Sequence, residues 1–119
     1  MIARSGIRVT VPTNATCLMK AEQAVLASEA GAKYVSFFYR RMLDAEVNYS
    51  EECSLYRDCG GEAQIIAGSI REPQDVLQAL RSADIVTVPP KILWELPKHP
   101  KTEATIAEFD QAWREYIGG

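Results

Sequence analysis

The side chains in this 119-residue sequence that could do chemistry fall into small groups, each close behind an apolar stretch. Asn14, Thr16 and Lys20 form the first group, and Ser36, Arg40 and Arg41 the second. Ser69 and Arg71 form the third, with Lys91 last. Hydroxyls and guanidinium groups brought together from neighbouring chain segments suit a phosphate, because arginine grips its oxygens through bidentate, charge-assisted hydrogen bonds. Taken one at a time, each arginine reads equally as a solvated surface charge. Lys20 and Lys91 read as surface charges, since an amine that forms a Schiff base works best desolvated. Cys17, Cys53 and Cys59 are odd in number and form no CxxC pair, and His99 is the only histidine. They suit buried or free thiols in a reducing cytoplasm, with no metal site and no cofactor expected.

The elements that must position these groups follow from the apolar pattern. Residues 13 to 19 read as a strand, with Ile7, Val9 and Val11 as a lead-in interrupted by Pro12, which cannot donate to a central ladder. Ala21, Ala24, Val25 and Ser28 make a stripe of small residues on a helix that ends at Gly31. Residues 32 to 39 form a second strand, and a helix capped by Ser50 runs to Cys59, with Glu51 and Glu52 in its first turn. Residues 62 to 70 form a third strand, in which Gly68 permits close backbone approach. A helix begins at Pro73 with Val76, Leu77 and Leu80 as its buried face. Residues 85 to 89 form a short fourth strand covered on both faces. A short helix (KILWEL) and a turn holding His99 lead to a last helix capped by Thr102. Ile106, Phe109, Trp113 and Ile117 share one of its faces, and Trp94 and Trp113 read as helix packing. The alternation of strand and helix predicts a single α/β domain over residues 1 to 119, with parallel strands and right-handed crossovers. In such units the functional face lies at the C-terminal ends of the strands.

Composition narrows the partners. No apolar run approaches the ~20 residues of a membrane span, and nothing at the N-terminus has the form of a signal peptide. Thirteen basic against sixteen acidic residues give a net charge of −3, a poor footprint for nucleic acid. The length is also too short for a complete (β/α)8 barrel, which takes about 250 residues.

Several stretches are nonetheless barrel-like in a specific way. TNATCLM, AGAKYVSFF followed two residues later by Arg41, GSIR-x-P-x-x-V, ADIVTVPPKIL and KHPKT occur in that order. Together they resemble the transaldolase and fructose-6-phosphate aldolase family from Thr13 to the C-terminus. The family fold is a (β/α)8 barrel, and the resemblance implies a half-barrel of four βα units corresponding to strands five to eight. It implies that Asn14 and Thr16 are active-site residues of the fifth strand, the threonine positioning a catalytic water. It implies that Ser36 contacts bound sugar and that Phe38 is a pocket aromatic, tyrosine in the aldolase branch. Arg41, Ser69 and Arg71 match the residues that hold the substrate phosphate.

The departures are as informative. The family carries its Schiff-base lysine on the fourth strand and its acid/base carboxylates on the first and third. The resemblance places all three before this chain's first unit. Aligning VTVP with the fourth-strand motif instead puts Thr10 at the lysine position. Tyr39-Arg40 replaces a small pair and is expected to crowd the pocket, and Lys20 stands where a small helix-capping residue is usual. The sequence therefore supports a half-barrel keeping a sugar-phosphate half-site, inactive alone or needing a complementing N-terminal half. Its alternatives are a non-catalytic oligomeric module and an aldolase using a relocated lysine, Lys20 or Lys91. Open strand edges predict a homodimer or higher homo-oligomer, the first strand of one chain pairing with the last of another.

Overall fold

In the computed structural model, which describes residues 11–118, four strands form one parallel sheet in the order β1-β2-β3-β4. They are β1 (Asn14–Leu18), β2 (Tyr34–Phe38), β3 (Gln64–Gly68) and β4 (Ile85–Val86). Between and after them lie α1 (Ala21–Glu29), α2 (Tyr39–Asp44), α3 (Tyr49–Asp58), α4 (Pro73–Leu80), α5 (Pro90–Glu95) and α6 (Pro100–Gly118). Sequential strands are spatial neighbours and every pairing is parallel, the arrangement of half a β/α barrel. The expected lead-in at Ile7 and Val9, and Thr10, lie outside the described residues.

The helices cover one face of the sheet. Val35 and Phe37 of β2 and Ile65 and Ala67 of β3 are fully buried there, against Ala21 and Ala24 of α1 and Cys53 and Tyr56 of α3. The small-residue stripe of α1 makes that close approach possible, and Gly31, at φ +99°, takes the left-handed position after the helix. Phe37 and Tyr56 meet edge to face with centroids 6.5 Å apart. Tyr56 donates to the Ala63 carbonyl, and Tyr49 to that of Ala79, each at 2.7 Å, so neither hydroxyl is orphaned. On the opposite face of the sheet, Tyr34, Phe38 and Ile66 are half-buried and Gln64 is exposed, while Ser36 and Gly68 are buried.

Several expectations from the sequence are corrected. The strand expected at 85–89 is only Ile85–Val86, and Ile85 is exposed rather than covered on both faces. Tyr39 opens α2 instead of ending β2. The cap of α3 is Asn48, whose side chain accepts from the Glu51 amide at 3.1 Å; Ser50 lies inside the helix. Asn48 holds the extended backbone that a cap requires. In α4, Val76 is buried as expected, but Leu77 and Leu80 are exposed, and Asp75 and Ala79 are buried in their place. The last helix begins at Pro100, before Thr102, with the Lys101 amide donating to His99 Nδ1 at 3.0 Å. Proline suits that first turn because it has no amide to satisfy. None of α6 is buried: Ile106, Phe109, Trp113 and Ile117 are all exposed, as is Trp94 of α5, so neither tryptophan is packed in the core.

All three cysteines are free thiols, Cys53 buried and Cys17 and Cys59 exposed. Burial pushes the Cys53 thiol up to about 11, and burial also raises the Tyr49 hydroxyl above its ordinary range. Both groups hold their protons longer folded than unfolded. Stability is therefore complete below the ordinary thiol pKa of about 8.5 and falls as pH rises through 9 toward 11. Urea midpoints measured from pH 7 to 11 should show that alkaline loss, and Cys53→Ala should reduce it; a flat profile would contradict the burial argument.

Candidate functional site

The site is built at the C-terminal ends of β1, β2 and β3. After Ala15 the register of β1 against β2 shifts, with Cys17 at φ +66°, so that Leu18 rather than Cys17 faces the core. This bulge leaves Cys17 and Met19 as one wall of an open cavity of about 540 Å³. Phe38, at the end of β2, forms its floor. Gly68 is paired in register with Phe38, and a Cβ there would lie 3.3 Å from the Phe38 ring, so glycine lets the ring rest on β3. Arg41, Asp44 and Ala45 enter from α2 and its end, and Arg71 from the β3–α4 turn.

The electrostatics are set by two guanidinium groups. Arg41 is exposed, stands over the Phe38 ring at 5.9 Å, and has no carboxylate partner among the described residues. Arg71 Nη1 pairs with Asp44 Oδ2 at 2.6 Å, with both side chains about half exposed. Arg40, expected to crowd this space, turns away from it and pairs with the buried Asp75.

The cavity thus brings together Phe38, Arg41 and Arg71 of the residues expected from the sequence. The others are placed differently. Asn14 and Thr16 lie within β1 and Ser36 is the middle residue of β2, inside the strands expected to carry them but outside the lining of this cavity. Ser36 Oγ donates to Asn14 Oδ1 at 2.7 Å, which satisfies a hydroxyl that is 4% exposed. Thr16 is exposed. Ser69 is half-buried at φ +61° in the turn that leads to Arg71, and does not line the cavity. Sequence reasoning missed Cys17, Met19 and Asp44. An acid in the same helix as Arg41 was the available signal for Asp44; nothing local announces the bulge at Cys17.

Lys20 is exposed and lies 4.0 Å from Glu22, and Lys91 is exposed on α5; neither lines this cavity. Among the described residues no three potential ligands cluster as a metal site would require. No helix of the described residues is long and apolar enough to cross a membrane.

A parallel four-stranded α/β sheet of barrel type, with its cavity at the C-terminal strand ends, defines the class: half of a β/α barrel whose loops carry the site. Comparison with known proteins gives the family. The profile of the Transaldolase/Fructose-6-phosphate aldolase family matches residues 2–117, and the chain belongs to that family. A probable transaldolase of Desulfotalea psychrophila is 40% identical over 108 aligned positions, covering 87% of this chain and 50% of its own length. One of Thermoanaerobacter is 37% identical over 119 positions (96% and 53%), and one of Bartonella quintana 42% over 118 (95% and 52%). The chain spans about half the length of these relatives.

Proposed function

We propose that this chain carries the phosphate-binding half of a transaldolase-type sugar-phosphate site, and that it is inactive alone or active only with a complementing N-terminal half. The observation that carries this reading is the pair Arg41 and Arg71, delivered to one open cavity from adjacent strand ends with Phe38 beneath. Arg41 supplies a cation that no carboxylate holds among the described residues, and Arg71 a second that an incoming dianion can draw from Asp44. Asn14, Thr16 and Ser36 would face the sugar, with Ser69 shaping the turn that presents Arg71. The amine for carbonyl activation would come from the complementing half. No cofactor, metal or nucleic acid is invoked, and we place the chain in the cytoplasm with its free thiols reduced.

Phosphate binding gives the direct test. Inorganic phosphate or fructose 6-phosphate at ten times its dissociation constant should stabilise the fold by about 1.4 kcal/mol, a thermal shift of several degrees. Either should also slow alkylation of Cys17 relative to the remote, exposed Cys59 by peptide-resolved mass spectrometry. No shift and equal labelling at saturating phosphate would favour the second reading, a non-catalytic binding or assembly module. The third, an aldolase using Lys20 or Lys91, is disfavoured by the exposure of both amines.

The same reading includes self-association. β1 and β4 each leave an edge unpaired among the described residues, and such edges accept further strands. Sedimentation velocity at micromolar concentration should give a dimer or larger species; a single monomer boundary would reject it.

A further inference from the structure

We propose that Asp75 and Arg40 together are positioning residues for the two-arginine grip, a role that rests on the phosphate reading given above. Asp75 is 2% exposed, an unusual place for a carboxylate unless several donors compensate it. Its Oδ2 accepts from the Arg71 amide at 3.2 Å, the Glu72 amide at 3.0 Å and Arg40 Nε at 3.3 Å, while Oδ1 accepts from Arg40 Nη2. Arg40 immediately precedes Arg41 on α2, and Arg71 opens the turn into α4. One buried carboxylate therefore ties the backbone that carries Arg41 to the backbone that carries Arg71. Neither Asp75 nor Arg40 lines the cavity, so both act through the residues that do.

A helix cap alone would account for the two amide contacts but not for the Arg40 arm. It is that arm, joining α2 to the β3–α4 turn, which fixes the separation of the two cations. Long-range electrostatics makes a different prediction from positioning. Deleting the negative charge of Asp75 leaves the neighbourhood more positive and would tighten phosphate binding, whereas loss of positioning weakens it.

The experiment compares Asp75→Asn, Arg40→Met and the double variant, using the full chain and inorganic phosphate. Asparagine keeps an oxygen for the two amides, so this variant should fold; circular dichroism checks it. Each single change should weaken phosphate binding about tenfold, as expected when a binding group is displaced from its working geometry, with the double no weaker than either. An Asp75→Asn variant that folds and binds phosphate as well as or better than the parent overturns the proposal. Hydrogen exchange supplies a ligand-free reading of the same link. Residues 40–44 and 69–73 should both exchange faster in Asp75→Asn, and loosening confined to the first turn of α4 would also overturn it. If the parent binds no phosphate but the two segments loosen together, the phosphate reading fails and the positioning link stands.

Discussion

Tyr56→Ala should lose about 4 kcal/mol of folding stability, a large part of the 5–15 kcal/mol that a domain of this size holds. The ring is fully buried, and three independent contacts meet on it. Phe37 packs against it edge-on, its hydroxyl donates to the Ala63 carbonyl at 2.7 Å, and the backbone at Gly61 passes directly over it. A Cβ added at Gly61 would fall 2.2 Å from the Tyr56 ring, so Gly61→Ala is an overpacking change costing about 1–3 kcal/mol or more. The two substitutions share one space. Once the ring is gone the extra methyl has room, and Gly61→Ala should cost far less in the Tyr56→Ala background than alone. Tyr56→Phe keeps the shape and removes only the hydroxyl, leaving the buried Ala63 carbonyl unpaired at about 1–3 kcal/mol. Urea midpoints for the four proteins decide the matter. Additive costs for Tyr56→Ala and Gly61→Ala would show that the ring does not fill the space above Gly61.

That packing shows which parts of the fold the sequence could reveal. Runs such as YVSFF and QIIAG are dense in β-branched and aromatic residues, and the turns between units hold glycine, so strand number, order and direction were readable. Local detail failed where two chemically similar choices stood close together. Asn48 and Ser50 are both good caps, and the backbone conformation chose between them. In α4 the larger apolar residues, Leu77 and Leu80, are not the buried ones, because the helix approaches the sheet through Val76 and Ala79 and admits the Asp75 carboxylate beside them. A helical face of leucines signals burial only where something is there to cover it. The same applies to α6, whose apolar face no part of the described chain covers. In the candidate site, Phe38, Arg41 and Arg71 were legible because they follow strands and resemble a family pattern. Cys17 was not, since its place in the wall depends on a left-handed backbone at a bulge. Asp75 reads in sequence as an ordinary acid in a helix's first turn, and its pairing with Arg40 spans 35 residues.

Arg71 and Asp44 should change phosphate affinity in opposite directions, although they touch each other. Arg71→Ala removes a charge-assisted contact of about 1.5–3 kcal/mol, a loss of ten- to a hundredfold in affinity, and Arg41→Ala should do the same. Asp44→Asn removes a competitor. In the unliganded protein Asp44 Oδ2 holds Arg71 Nη1 at 2.6 Å, and a phosphate must displace or share that bond. Because both side chains are about half exposed, the pair contributes only about 0–1 kcal/mol after solvent screening. Its loss should therefore tighten phosphate binding by no more than a few fold and leave stability nearly unchanged. Titration of inorganic phosphate against the three variants, at low and high salt, measures both signs at once. Weaker binding in Asp44→Asn would mean that the carboxylate holds Arg71 in its binding position instead of competing for it. The balance between the two guanidinium groups also follows from their partners. Among the described residues Arg41 has no acid to leave and should meet the phosphate first, with Arg71 exchanging Asp44 for the same anion once it is in place.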